Sequence, residues 1–254
     1  SYIMSIGAIS AAGGLAVIIP PTALGVLLAA LAEISVARLL MAGIIPGLVM
    51  ATLYVIYIVG RVKLQPALAP SYEVARVGTR EKMMALWQFL PLGFIVFMVT
   101  GVIFVGVATP TEAAAMGVMG AALVAALYRE LTPRVVYKSL IATVEVTVVV
   151  MLIIVGSKVF SQILAFTGGS RGLVELVRGL AAPPLVVLIM MMLVVAVLGC
   201  FIDQISIMMI TVPIFFPMAN ALGFDPIWFG ILVLLNLEVA STTPPFGLQL
   251  FVLK

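Results

Sequence analysis

Two proline pairs interrupt a chain that is otherwise close to pure membrane-grade apolar sequence. One is Ile19-Pro20-Pro21-Thr22, preceded by Gly13-Gly14. The other is Ser241-Thr242-Thr243-Pro244-Pro245-Phe246-Gly247. In lipid an unsatisfied backbone amide or carbonyl is expensive, so a break survives only where protein or a water-filled cavity satisfies it. Freed carbonyls with Ser and Thr hydroxyls also suit a small hard cation. Breaks near both ends of the chain predict a transporter built from repeats, with its site at their junction.

Composition supports this. The hydrophobic fraction is 64% and the charged fraction 9%, where a soluble domain carries about 25% charged residues. Such a chain lacks the polar surface to cover itself in water and reads as an all-α polytopic membrane protein. Arg61, Lys63, Arg76, Arg80 and Lys82 form one basic loop, and Arg129, Arg134 and Lys138 a second; together they hold eight of the thirteen Lys and Arg residues. The positive-inside rule puts both loops in the cytoplasm. No basic face interleaved with aromatics lies outside the apolar segments, which argues against a nucleic-acid partner. The absence of histidine removes His general bases and Ser-His or Cys-His nucleophile pairs. With no paired-Asp motif and no Gly-x-Ser-x-Gly elbow either, an intramembrane hydrolase is disfavoured and no enzyme is expected. The lone Cys200 has no intrachain disulfide partner.

Along the chain, residues 5–32 are apolar with a break at Pro20-Pro21. Each side is shorter than the roughly 20 residues a span needs, which predicts a re-entrant hairpin or broken helix. Residues 36–60 read as a spanning helix and 61–84 as a cytoplasmic linker. If both basic loops are cytoplasmic, residues 83–128 cross an even number of times, and two crossings fit: 85–108, then an Ala- and Gly-rich segment 113–128 suited to close helix packing. Residues 139–165 are apolar but carry Glu145 and Lys158. Residues 183–202 read as a strong span, followed by 204–219 with Pro213 and Pro217, and by 227–240 leading into the second break. The expected domains are therefore 1–60, the end of a first repeat with its hairpin, the linker 61–84, and 85–254, a second repeat truncated before its final helix. The chain opens at Ser1 inside an apolar segment and stops soon after the second break, so it reads as lacking both ends.

Asp203 is the sharpest candidate residue. It lies between two long apolar runs, and an intramembrane carboxylate is costly enough to imply a cation ligand or proton carrier. The alternative is an interfacial Asp capping a helix end. The first reading is preferred because Gln204 and Ser206 add polar groups at the same depth. Thr242, Thr243 and the carbonyls beside Pro244 and Gly247 form a second oxygen-rich candidate, since proline frees the carbonyl four residues back; the alternative there is a kinked helix with back-bonding hydroxyls. Gly14, Pro20 and Thr22 are their equivalents in the first half. Thr109-Pro110-Thr111-Glu112 offers hydroxyls and a carboxylate, with helix capping the better account of Glu112. Glu145, Lys158 and Glu238 are weaker candidates.

These residues resemble a known family. Gly-Val-Ala-Thr-Pro-Thr-Glu-Ala-Ala-Ala (106–115) is similar to the Gly-x-x-Thr-Pro-Thr-Glu-Ala-Ala signature of the large membrane subunit of TRAP transporters, the tripartite ATP-independent periplasmic family. In the same order as in that family come Gly-Gly-Leu-Ala-Val-Ile-Ile-Pro-Pro-Thr (13–22), Leu-Leu-Met-Ala-Gly-Ile-Ile-Pro-Gly (39–47), Val-Pro-Ile-Phe-Phe-Pro-Met (212–218) and Thr-Thr-Pro-Pro-Phe-Gly (242–247). The resemblance covers nearly the whole chain. It implies a sodium-coupled elevator transporter with inverted repeats in the bacterial cytoplasmic (inner) membrane, importing C4-dicarboxylate-like or other carboxylates. Its implied partners are a small membrane subunit and an extracytoplasmic solute-binding protein. By resemblance Na⁺ would be held by Asp203, Gly14, Pro20, Thr242, Thr243 and Gly247, and the substrate carboxylate by Thr22, Thr109, Thr111, Pro244 and Pro245. A carboxylate transporter of similar hairpin architecture that needs no binding protein is the alternative. The Gly-Ser-Ser-type motif expected upstream of residue 1 is absent from this sequence, and so is a helix after Lys254, so this stretch alone is not expected to transport.

Overall fold

The computed structural model describes residues 2–66, 78–169, 172, 174, 175, 179 and 182–243. Among them there are helices and turns but no strands. In chain order the helices are α1 (Tyr2–Ile18), α2 (Ala23–Leu31), α3 (Val36–Leu64), α4 (Thr79–Val96), a π turn at Phe97–Gly101 leading into α5 (Val102–Phe104), α6 (Pro110–Leu127), α7 (Pro133–Phe166), α8 (Pro184–Gly199), α9 (Gln204–Ala221) and α10 (Pro226–Ser241). Six segments are long and apolar enough to cross a membrane by length and composition. They include Val36–Leu64, Thr79–Phe104 and Pro110–Leu127, so the two crossings expected between the basic loops are present as two helices. The protein is an all-α polytopic membrane protein.

The expected span 183–202 forms a helix of only 16 residues. At 1.5 Å per residue that is about 24 Å, short of the roughly 30 Å hydrocarbon core. The helix stops because the chain turns at Cys200–Ile202 and restarts at Asp203, which caps α9. By contrast, α9 continues through both Pro213 and Pro217. Each proline lacks the amide that would bond the carbonyl four residues back, so the helix keeps its course while losing two rungs.

The chain divides into two compact units. Among the described residues the smaller lies within Tyr57–Thr147, and the larger is Tyr2–Ile56 together with residues 148–243. In the smaller unit α6 packs on α4, the π turn and α5. Its buried residues Ala113, Gly117 and Gly120 recur at helical spacing. A Cβ on Gly117 would fall 2.3 Å from Val99 Cγ2, so the small residue is what admits the neighbouring helix, as the composition predicted.

In the larger unit α10 packs most extensively on α8, and also on α1, α2 and α9. The core is largely apolar, with Leu28, Leu39, Val195, Met208, Phe229 and Leu237 almost wholly buried, although Thr22, Ser157, Thr211, Glu238 and Ser241 are buried as well. Phe216 and Phe229 meet edge to face at 5.1 Å. Gly43 and Gly47, one turn apart on α3, are buried against the end of α1: a Cβ at Gly43 would lie 2.7 Å from the Ile18 carbonyl oxygen, and one at Gly47 2.5 Å from Ile19 Cγ1. This small-xxx-small pair lets α3 approach the first break itself.

Candidate functional site

The first break is closed by one hydroxyl. α1 ends at Ile18, Pro20-Pro21 follows, and Thr22 caps α2. Thr22 Oγ1 accepts from the Gly25 amide at 3.1 Å and donates to the Val17 carbonyl at 2.7 Å. It thereby satisfies one orphan group on each side of the interruption, which is how the break is tolerated in a buried position. One acceptor lone pair remains on the oxygen. Pro20 is partly buried beside it.

The glycine doublet upstream separates into two roles. Gly13 is exposed, and a Cβ there would meet nothing within 4 Å. Gly14 is buried, and a Cβ there would lie 2.4 Å from Glu238 Oε1. Glu238 is itself 3% exposed on α10. Gly14 thus makes room for a buried carboxylate, a relation the sequence did not disclose because the two residues lie far apart along it.

At the end of α10 the hydroxyls turn back on the helix. Ser241 Oγ donates to the Glu238 carbonyl at 2.8 Å, Thr242 Oγ1 to the Val239 carbonyl at 2.9 Å, and Thr243 Oγ1 to the same Val239 oxygen at 2.6 Å. This is the back-bonding arrangement, and it leaves the lone pairs of all three oxygens to accept or to ligate. Pro244, Pro245 and Gly247 lie outside the described residues.

Asp203 stands at the turn between α8 and α9, where the sequence offered a cation ligand or proton carrier and, as the alternative, an Asp capping a helix end; the capping geometry of that alternative is present. Its carboxylate accepts from the Ser206 amide at 3.0 Å and from Ser206 Oγ at 2.6 Å. It is an N-cap, and it also faces a cavity of about 240 Å³ shared with Gly199, Gln204, Leu237, Ser241 and Leu24. The cavity therefore joins the tip of the α8–α9 reversal, the last turn of α10 and the first turn of α2 just after Thr22. Gln204 Nε2 donates to the Leu237 carbonyl at 3.2 Å, tying tip to helix and leaving its own carbonyl oxygen available. Gly199 sets the approach: a Cβ there would fall 2.2 Å from Ala240 Cβ, so only glycine lets α8 and α10 close the cavity wall. No group of three or more His, Cys, Asp or Glu side chains fit to hold a metal occurs among the described residues. The donor set is one carboxylate with hydroxyl and amide oxygens, the chemistry of a hard, weakly held cation rather than of a transition metal.

Gln204 and Ser241 carry more of this site than their sequence context suggested, while Glu238 is buried against Gly14. The available signal was the polar residues flanking Asp203 and the Ser-Thr-Thr run; burial of Glu238 had no signal.

Thr109 and Thr111 belong to the smaller unit. Thr109 caps α6 in a reciprocal box: its amide and hydroxyl both donate to Glu112 Oε2 at 2.8 Å, and the Glu112 amide donates to Thr109 Oγ1 at 3.4 Å. The capping account of Glu112 holds. Thr111 is exposed in the same first turn.

Glu33 and Lys158 form an ion pair at 2.8 Å in the larger unit, both side chains more than half exposed. The hydrogen bond and the charge of Lys158 hold the Glu33 carboxyl below its ordinary range.

The sequence profile of the tripartite ATP-independent periplasmic transporter, DctM component, matches residues 3–254. The chain is 36% identical to the C4-dicarboxylate TRAP transporter large permease protein DctM of Pseudomonas aeruginosa, over 97% of this chain and 57% of that protein. It is 33% identical to the ectoine TRAP transporter large permease protein TeaC of Halomonas elongata, over 93% of this chain and 55% of that one. It is 32% identical to the sialic acid TRAP transporter large permease protein SiaM of Vibrio cholerae, over the same shares of 93% and 55%. The chain spans somewhat more than half the length of these relatives.

Proposed function

The chain belongs to the DctM component family of tripartite ATP-independent periplasmic transporters, a family of transporter permeases, and from that premise we propose that it is part of the permease of a sodium-coupled secondary transporter for organic acids. The observation that carries the reading is the convergence of Asp203, Gln204 and Ser241 on one cavity that also reaches the start of α2. Sodium entering there neutralises Asp203 and takes oxygen ligands from Gln204, Ser241 and Thr242. With the charge balanced, the α8–α9 tip and the α10 terminus are held together, and the broken-helix ends receive the substrate carboxylate through backbone amides and hydroxyls such as that of Thr22. Gly14 and Pro20 shape the first break so that it meets this set.

Coupling follows from the order of events. An empty Asp203 carries an uncompensated charge that resists crossing the hydrocarbon core; the loaded site does not. The larger unit then moves as the carrier in an elevator-type cycle between inverted repeats. Relatives are named for C4-dicarboxylate, ectoine and sialic acid, which carry a carboxylate, and for isethionate, which carries a sulfonate; an organic acid, with carboxylates foremost, is the substrate class we propose for this chain. A small membrane subunit and an extracytoplasmic solute-binding protein are its partners, and the bacterial inner membrane its location.

The test is uptake by the full-length transporter with its partners in sealed vesicles, as a function of external sodium. Asp203→Asn is expected to raise the sodium concentration for half-maximal uptake by about tenfold or more, the factor that accompanies loss of about 1.4 kcal/mol of cation binding. A sodium dependence identical to wild type sinks the assignment of Asp203.

A further inference from the structure

A second cavity, of about 510 Å³, lies in the larger unit, shares no lining residue with the Asp203 cavity, and has no part in the sodium reading. Its walls come from the α2–α3 turn, from α7 and from the C-terminal half of α9. Glu33, Ser157, Lys158, Ser161, Gln162 and Asn220 supply its polar groups, and Val212, Phe216 and the two α9 prolines its apolar floor. Ser157, Lys158, Ser161 and Gln162 recur at one-turn spacing, so they share a face of α7. Pro217 removes the amide that would have bonded the Pro213 carbonyl, which leaves an extra acceptor at the wall.

The charges in this cavity have opposite sign and are close together. Lys158 Nζ lies 2.8 Å from Glu33 Oε1, with the side chains 55% and 70% exposed. An exposed pair of this kind contributes little to stability and exchanges partners readily. A bare anion at Lys158 is repelled by Glu33, and a bare cation at Glu33 by Lys158; a ligand carrying both charges satisfies both. Glu33 also holds φ +55, a left-handed conformation that a non-glycine residue rarely adopts. The conformation is the left-handed end of α2, where the Ile34 amide donates to the Ala29 carbonyl at 3.0 Å.

The depth of the cavity identifies the kind of ligand. Glu33 sits in the turn between two segments long enough to span, Gly7–Leu31 and Val36–Leu64, so it lies at a membrane surface. Lys158, bonded to it, lies at the same depth. α7 has 34 residues, about 51 Å, against a hydrocarbon core of roughly 30 Å, which leaves its last turns in the headgroup layer. The topology agrees: with both basic loops cytoplasmic, α3 leaves the Glu33 turn on the opposite side and α7 arrives there. The apolar face of α7 beside the cavity is exposed, with Val155, Val159 and Ile163 about half accessible, as suits contact with acyl chains.

We infer that the cavity between the α2–α3 turn, α7 and α9 is a headgroup site for a zwitterionic phospholipid with a primary ammonium, its ammonium on Glu33 and its phosphate on Lys158. Ser161, Gln162 and Asn220 hydrogen-bond the remaining phosphate oxygens, and Phe216 with the prolines faces the glycerol. The lipid replaces the Glu33–Lys158 pair with two pairs and so joins α7 to the α2–α3 turn. No residue lines both this cavity and the one at Asp203, so the lipid site and the sodium site are tested by different side chains and fail or stand separately.

The experiment places the full-length protein in nanodiscs containing equal amounts of phosphatidylethanolamine, phosphatidylcholine and phosphatidylglycerol, and counts retained lipids by native mass spectrometry. Phosphatidylcholine lacks N–H donors and phosphatidylglycerol lacks the cation. Retention of phosphatidylethanolamine about tenfold above the other two is expected, falling to parity in Lys158→Ala and in Glu33→Gln and persisting in Lys158→Arg, as loss of one member of a charge pair requires. Circular dichroism of each variant verifies that it remains folded. The proposal is overturned by equal retention of the three lipids in wild type, by a preference for phosphatidylglycerol, or by a preference that survives both charge-removing variants. It is also overturned if soluble phosphoethanolamine binds while the intact lipid is not enriched, since the ligand is then a free solute.

Discussion

α10 of the larger unit buries nine of its residues, from Phe229 to Ser241, whereas α4 of the smaller unit, which opens on Arg80, Glu81 and Lys82 before its apolar stretch, buries none. Both helices are suited to a membrane, yet they are held differently. α10 is fixed by side chains of α1, α2, α8 and α9, so a residue at its end, such as Ser241, has a position determined by packing within the protein. α4 presents Trp87, Phe89 and Leu90 outward, and its neighbour α6 is admitted through small residues. A site that must discriminate a cation by geometry belongs in the first kind of environment, where close packing transmits small displacements.

Four experiments test this contrast, beginning with the largest expected effect. Phe229→Ala removes a fully buried ring that meets Phe216 and is expected to destabilise by about 3–5 kcal/mol. Phe89→Ala in the smaller unit, at a ring 63% exposed, is expected to stay within about 0.5 kcal/mol. Thermal unfolding in one detergent compares them, and equal losses break the contrast.

Next comes the glycine doublet. Gly14→Ala forces the Glu238 carboxylate aside and is expected to cost about 1–3 kcal/mol. Gly13→Ala meets open space and is expected to be neutral or to stabilise the helix by up to about 1 kcal/mol. Opposite signs in the same unfolding assay sharpen the assignment of Gly14 to the α1–α10 contact; matching signs remove it.

In the smaller unit, Thr109→Val removes the hydroxyl half of the α6 capping box at a cost of about 1 kcal/mol. If Thr109 acts only as a cap, substrate uptake at saturating sodium stays near wild type once folded protein is normalised. A fall in substrate affinity with unchanged stability would restore Thr109 to the substrate site.

The smallest effect concerns acid. Glu33 has its carboxyl held below its ordinary range by Lys158. The ion pair's contribution is therefore complete above the carboxyl's unfolded value and is lost as pH falls through the lower, folded one. Exposure of both partners limits the effect to under about 1 kcal/mol. A small loss of stability below about pH 4.5, absent in Glu33→Gln, is expected in an unfolding series from pH 6 to pH 3.

Much of this was legible in the residues themselves. The Pro20-Pro21 pair ends one helix at Ile18 and Thr22 starts the next, because proline cannot supply an interior helical amide and threonine can cap one. Ala113, Gly117 and Gly120 announced a close-packing face. Asp203 was recognisable as costly in an apolar setting. What could not be read was which of two adjacent glycines faces a neighbour, or that a run of sixteen rather than twenty residues forms α8. Pro213 and Pro217 illustrate the limit from the other side: local rules predict interruption, but α9 runs through both, its length buried against α2, α8 and α10.

The sequence alone therefore determined the solvent in which this protein folds, the number and order of its apolar segments, and the points where the backbone must break, because those depend on hydropathy and on local covalent constraints. Only the tertiary structure decided that Asp203, Gln204 and Ser241 share one cavity, that Gly14 shelters Glu238, and that Lys158 reaches Glu33 across 125 positions of chain. Those relations depend on which helix faces pack together, and in a chain apolar on nearly every face the periodicity that would reveal a buried side is absent.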